Sequence, residues 1–341
     1  MEFDKRLVLI FLIFILGISI LVFTKKEENV VVVYVAHDQD YSEPILQEFE
    51  NITGIKVKAM YDTETTKTVG LVNRLIAEKN NPQADVFWNN EVMRSVLLKK
   101  DDVLQSYCSP NSNDIPSIQK DKDCYWTGFA ARARVILYNT EKISEEQSPK
   151  SLYDFINSRW KGKACISNPL IGSGSGLTAA LFASLGDKEA KELFLKMKEN
   201  DIHVLESPSM VRDQVLAGEC WFGSTDTDDA YDALAAKKPV KMVFPDQGEN
   251  QIGDFIIPNS VMMINKAPHQ ENAKKLIDFI LSSHVEEELA QSALQMPLKA
   301  SSKAPENVPK IEKIKSMNVS YEEIYNKLNV SNQFIQETFL T

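Results

Sequence analysis

Five short runs in this 341-residue chain carry side chains that could do chemistry. HDQD at 37–40 offers the imidazole of His37 beside Asp38 and Asp40, groups able to ligate a metal or receive a cationic solute. Its plainer reading is a loop whose aspartates cap the next helix. WNNE at 88–91 offers Trp88 as an aromatic wall, Asn89 and Asn90 as amides, and Glu91 as a charge. Glu91 could equally be a first-turn acid. ARAR places Arg132 and Arg134 at alternate positions of an extended run, so both project to one face. Guanidinium forks there read carboxylate or phosphate, and surface salt bridges are the alternative.

GSGSG at 172–176 opens a helix expected from about Leu177. Its glycines let backbone N–H groups approach a ligand, so Ser173, Gly174 and Ser175 are expected to hold an anion at a positive helix end. No Lys follows, so a nucleotide phosphate loop is not indicated. A turn capped by Ser175 is the plain alternative. TDTDD at 225–229 sets Asp226, Asp228 and Asp229 just after a strand. One of them suffices as an N-cap, and three repel unless a cation sits among them. Asp38, Glu91, Asp226 and Asp228 are therefore the candidate metal ligands. The chain has no nucleophile elbow, HExxH or CxxC, so no catalytic residue is assigned.

These runs need elements to position them. VVVVYVA, IKVKAMY and ADVFW read as strands separated by single helices, with Ser42 as a cap and Gly54 as a stop for the first helix. After a polar loop, ACIS, IHVLE, CWFG and VKMVFP repeat the alternation. Strand–helix alternation implies parallel β-α-β units. Two long extended segments, 127–140 and 255–265, join the cycles. The expected fold is two α/β lobes linked by these hinge segments, with a ligand cleft at the carboxyl ends of the strands. Residues 29–130 and 262–341 are assigned to lobe 1 and residues 131–261 to lobe 2.

Composition limits the partners. Lys plus Arg number 38 against 48 Asp plus Glu, giving −10, and no basic aromatic run is present, which excludes nucleic acid. Residues 7–23, LVLIFLIFILGISILVF after Lys5 and Arg6, read as a signal-peptide core or a short membrane anchor within segment 1–28. Either exports the body to the periplasm or cell exterior. Export suits paired cysteines, expected as Cys108–Cys124 across the polar loop and Cys165–Cys220 between strand-like runs.

VYVAHDQD with EFENITGIKV, ADVFWNNE, GFAARARVILYN, NPLIGSGSG and DFIIPNSVMMINKAPHQENAKKLIDFILS together resemble extracellular solute-binding proteins of bacterial ABC importers, in the ferric-iron-binding branch. The resemblance runs from about Val30 to Ser283. It implies a type II periplasmic-binding-protein fold, a monomer that captures iron(III) or another metal with a counter-anion, and delivery to a membrane permease. It also implies that Arg132 lies near the anion and that Asp38 and Glu91 lie at cleft positions. Iron-binding relatives typically carry two adjacent tyrosines after the CWFG strand, whereas this chain has GSTDTDDAYDAL with the single Tyr231. A zwitterion such as an amino-phosphonate is the alternative ligand. An exported enzyme and a membrane-anchored sensor domain are the alternatives of a different class.

Overall fold

A computed structural model describes residues 29–62 and 69–340. The apolar stretch at 7–23, and the export or anchor expectation with it, lies outside these residues. Among the described residues no helix is long and apolar enough to cross a membrane.

The first cycle runs β1 (Val30–Val35), α1 (Gln39–Thr53), β2 (Lys56–Tyr61), α2 (Val69–Ala77), β3 (Val86–Asn89) and α3 (Val92–Lys100). The valines of β1 are almost wholly buried except the half-buried Val32, and β1 pairs in parallel with both β2 and β3. In α1, Ile45, Leu46 and Phe49 face the core, and Gly54, at φ 68°, ends the helix by donating to the Glu50 carbonyl. The helix begins earlier than expected. Asp38 occupies the N-cap position, and Ser42 sits inside the helix with its hydroxyl donating to the Asp38 carbonyl at 2.9 Å.

The second cycle contains β6 (Ala164–Ser167), α4 (Gly172–Leu185), α5 (Asp187–Glu199), β7 (His203–Leu205), α6 (Pro208–Ala217), β8 (Phe222–Asp226), α7 (Thr227–Ala235) and β9 (Val240–Val243). Between the cycles lie β4 (Leu104–Gln105) and β5 (Thr127–Asn139). After them come β10 (Ile256–Ile264), α8 (Gln270–Ile280), α9 (Ser283–Ser292) and α10 (Tyr321–Phe334).

The main sheet order is β2-β1-β3-β10-β5-β8-β6-β7. β5 is the continuous member: residues 127–133 pair antiparallel with β10, and residues 134–139 pair antiparallel with β8 and β9. The sheet therefore divides at Ala133/Arg134 into two α/β lobes, and Arg134 N donates to the Phe255 carbonyl at 3.0 Å where the second crossing segment passes. The alternation predicted parallel units, which hold for β2-β1-β3 and β8-β6-β7; the crossover strands are antiparallel. Val31, Val33 and Val35 pack with Phe49 and Leu276 in one core cluster, and Phe155, Phe182 and Phe222 lie in a second that also takes in Tyr34, Phe87 and Val96 of the first cycle. Each such side chain contributes about 1.5–3 kcal/mol through burial.

α8 and α9 pack on the first lobe, but α10 crosses between lobes. Lys99 of α3 pairs with Glu322 at 2.9 Å, while Phe334 stacks near Phe182 of α4 and Lys327 pairs with Asp187 at 2.7 Å. The C-terminal segment is thus shared rather than confined to one lobe.

Cys108 and Cys124 are joined as a disulfide. Cys165 and Cys220 are not: both are buried free thiols, which corrects the expected second bridge. Cys165 Sγ lies 3.8 Å from the Phe222 carbonyl and shares a hydrogen bond with the Cys220 thiol. Burial, then that thiol, pushes the Cys165 pKa well up, which disfavours the thiolate that disulfide exchange requires.

Candidate functional site

Four of the five runs lie where strands end. Asp38 follows β1, Asn90 follows β3, Ser173 lies in the first turn of the helix after β6, and Asp226 closes β8. Open α/β sheets bind ligands at these carboxyl ends because adjacent strands diverge there into helices of opposite course. Arg132 and Arg134 reach the same region from β5, two residues apart on one face.

The arginines meet the aspartates. Arg134 Nη1 donates to Asp226 Oδ1 at 2.7 Å and to Ser173 Oγ at 3.1 Å. Its Nη2 donates to Ser167 Oγ at 3.0 Å and to the Ser224 carbonyl at 2.8 Å. Both Arg134 and Asp226 are almost wholly buried, at 2% and 4% exposure. Arg132 Nη1 lies 3.5 Å from Asp226 Oδ2 and 3.3 Å from Asp228 Oδ2, and its Nη2 donates to the Asn90 carbonyl at 3.1 Å. Arg132 therefore ties an element of the first lobe to two carboxylates of the second.

These pairs supply from within the chain part of the positive charge that the aspartates call for. Asp226 is matched by two guanidiniums, Asp228 by Arg132, and Asp229 by Arg212 at 3.4 Å. One acceptor remains open. Asp228 Oδ1 is shut off from solvent and meets no well-aligned donor, although the Asp229 backbone N–H favours the ionised carboxylate and the side chain as a whole is 46% exposed. Burial raises the Asp228 pKa, with Arg132 opposing and Asp226 adding to the rise. Burial and the neighbouring Asp228 and Asp226 push Asp229 up to about 7. Burial opposes ionisation of Arg132, but Asp228 and Asp226 outweigh it and hold the guanidinium above its ordinary pKa.

GSGSG is itself the first turn of α4, with Ile171 at the N-cap position and no side-chain cap. Ser175 is therefore a helical residue and not the cap. Its hydroxyl donates to Asn332 of α10 at 3.2 Å, on the wall of a cavity of about 290 Å³ between α3, α4 and α10. Gly174 is buried, and a Cβ there would come within 2.3 Å of the Asn168 carbonyl, so only glycine fits. Glu91 lines the same cavity as the N-cap of α3: its side chain accepts from Met93 N at 3.0 Å and pairs with Arg94 at 3.2 Å. Burial pushes its pKa up, against the pull of Arg94.

Two expected ligand contacts belong to the core instead. Trp88 is fully buried between His37, at 5.4 Å, and Phe129, at 5.3 Å. His37 Nε2 faces the Gln295 amide nitrogen at 3.0 Å, while Gln295 Oε1 accepts from Asn259 at 2.7 Å. That chain makes His37 Nε2 an acceptor already in use, and burial lowers the His37 pKa to about 4. Asp38 is exposed at the rim. Sequence reasoning missed Ser167, Ser224 and Arg212. The first two were findable, since each lies at or near the carboxyl end of a strand beside a named run.

The profile of the bacterial extracellular solute-binding proteins matches residues 45–316. Iron uptake protein A1 of Synechocystis sp. is 25% identical over 313 residues, covering 88% of this chain and 84% of that protein. A Salmonella typhimurium periplasmic protein named for 2-aminoethylphosphonate binding is 26% identical over 282 residues, 80% of each chain. The open conformation of ferric iron-binding protein A from Mannheimia haemolytica superposes with a TM-score of 0.80 at 22% identity, over 91% of this chain and 98% of that one.

Proposed function

We propose that this chain, which belongs to the bacterial extracellular solute-binding proteins, captures iron(III) with an oxygen-donor counter-anion between its lobes and delivers it to an ABC permease. It is a binding protein and not an enzyme. The single observation that carries the ligand reading is the Asp228 carboxylate beside Arg132, with its Oδ1 left without a well-aligned donor, while Arg134 of the same strand reaches Ser173 in the first turn of α4. The open carboxylate oxygen calls for a cation or an N–H donor. The Arg132 guanidinium and the α4 N-terminus, with Ser173, call for an anion. A metal ion with its anion supplies both, and iron(III) favours oxygen donors such as Asp228, Asp38 and Glu91. The relatives named for iron support that cargo.

In this reading, residues 29–133 form most of lobe 1 and residues 134–255 lobe 2. The cleft closes by bending at β5 and at the run into β10, because the solute has greater affinity for the closed form. The body acts as a monomer outside the cytoplasmic membrane, with residues 7–23 addressing or tethering it there.

One observation favours a second ligand. Tyr231 is buried, its hydroxyl donating to the Asn307 carbonyl at 3.0 Å, so this side chain offers iron no free phenolate. An ammonium group on Asp228 with a phosphonate on Arg132 and α4 would use the same groups. Calorimetry with ferric citrate and with 2-aminoethylphosphonate decides between them. Tight binding of the ferric complex, lost in Asp228→Asn, is the expected outcome. Binding of the phosphonate alone would transfer the proposal to the second ligand, and binding of neither would refute both.

A further inference from the structure

A second cluster of metal-ligating side chains lies away from the cleft, where α1 and α9 pack together. Glu48 is ten residues beyond the cleft-facing N-cap of α1, about 15 Å along the helix at 1.5 Å per residue. His284 and Glu288 stand four residues apart on α9, so they share one face of that helix.

We propose that Glu48, His284 and Glu288 form a site for a borderline divalent metal such as Zn2+, distinct from the transport cleft. His284 Nε2 lies 3.0 and 2.9 Å from the two Glu48 carboxylate oxygens, and 4.0 Å from Glu288 Oε2. One ligand atom from each residue falls within 4.8 Å of the others. Metal–N and metal–O bonds of about 2.0–2.2 Å place neighbouring ligand atoms about 3 Å apart. His284 and Glu48 already meet that spacing, and Glu288 needs only a side-chain adjustment of about 1 Å. Glu288 Oε2 is also shielded from solvent and accepts no hydrogen bond, so an acceptor already faces the position a cation would take.

The donor set selects the metal class. One imidazole with two carboxylates suits Zn2+, Co2+ or Ni2+, whereas Ca2+ and Mg2+ prefer oxygen donors alone. Water would complete the coordination, because His284 and Glu288 remain about half exposed. A metal here joins α1 to α9, and since it binds the folded arrangement it raises the unfolding temperature.

The test uses the full chain stripped of metal, with Zn2+ followed by calorimetry and Co2+ by visible absorption. One equivalent should bind with Kd below about 100 μM. His284→Ala and Glu288→Gln should each weaken binding at least tenfold while keeping the wild-type unfolding temperature in the absence of metal. Asp228→Asn should bind Zn2+ as wild type does. Wild-type binding weaker than about 1 mM, or equal binding by the two α9 variants, overturns the proposal. So does loss of Zn2+ binding in Asp228→Asn with retention in His284→Ala, which would place the metal in the cleft.

Discussion

Replacing Asp226 by Asn should damage the fold more than the analogous change at Asp228, although both carboxylates meet Arg132. Among the described residues, Asp226 makes the one ion pair of Arg134, at 2.7 Å, and that guanidinium is 2% exposed. Its remaining acceptors are neutral: Ser173, Ser167 and the Ser224 carbonyl and hydroxyl. Asn would keep an acceptor for Nη1 but leave a buried positive charge without its direct counter-charge. Stranding one member of a buried pair costs about 3–5 kcal/mol, and retention of the acceptor places this variant near ~3. For a lobe of residues 134–255 that corresponds to a fall of about 12 °C in unfolding temperature. Asp228 is half exposed, so Asp228→Asn should cost no more than about 1 kcal/mol. Urea unfolding of both variants beside the wild type measures the contrast. Equal losses, or an Asp226→Asn protein within about 1 kcal/mol of wild type, would refute the reasoning.

Four further outcomes are expected. Asp229 has a folded pKa of about 7, far above its unfolded value, so the native state holds a proton that the unfolded state releases between about pH 4 and 7. Its contribution to stability therefore falls as pH rises through that window, and Asp229→Asn should gain relative to wild type from pH 4 to 7 in urea midpoints; a constant difference would contradict the assignment. The comparison must be between proteins, because His37, lowered to about 4, contributes the opposite slope over an overlapping range. Unfolded, unreduced protein should titrate two thiols, Cys165 and Cys220, and none would mean that they are bridged. Reduction of Cys108–Cys124, which closes a loop of 16 residues, should cost about 3 kcal/mol in unfolding titrations. Small-angle scattering should show a smaller radius of gyration with saturating cognate solute, whereas an unchanged radius would indicate a rigid site.

Much of the fold was legible because its signals are local. The valine run of β1, the 3.6-residue spacing of Ile45, Leu46 and Phe49, and Gly54 as a stop need no tertiary information. The arginine pair on one face of β5 followed from strand alternation alone. What stayed hidden depends on contacts far apart in sequence. Arg134 meets Asp226 across 92 residues, and this supplies from within the chain part of the positive charge that the carboxylates call for. His37 is withdrawn into the core by Gln295, 258 residues away. The first turn of α4 was obscured by composition, since GSGSG reads as a loop by propensity but is held as helix where Gly174 packs against Asn168.

Native mass spectrometry of protein purified without refolding, alongside Asp228→Asn, tests the central claim most directly. Wild type should carry one added mass equal to iron with its counter-anion, and the variant should lose it while keeping its folded charge-state distribution. A wild-type chain with no adduct after incubation with ferric citrate or 2-aminoethylphosphonate, or an adduct equally retained by Asp228→Asn, would contradict a solute site built on Asp228, Arg132 and the start of α4.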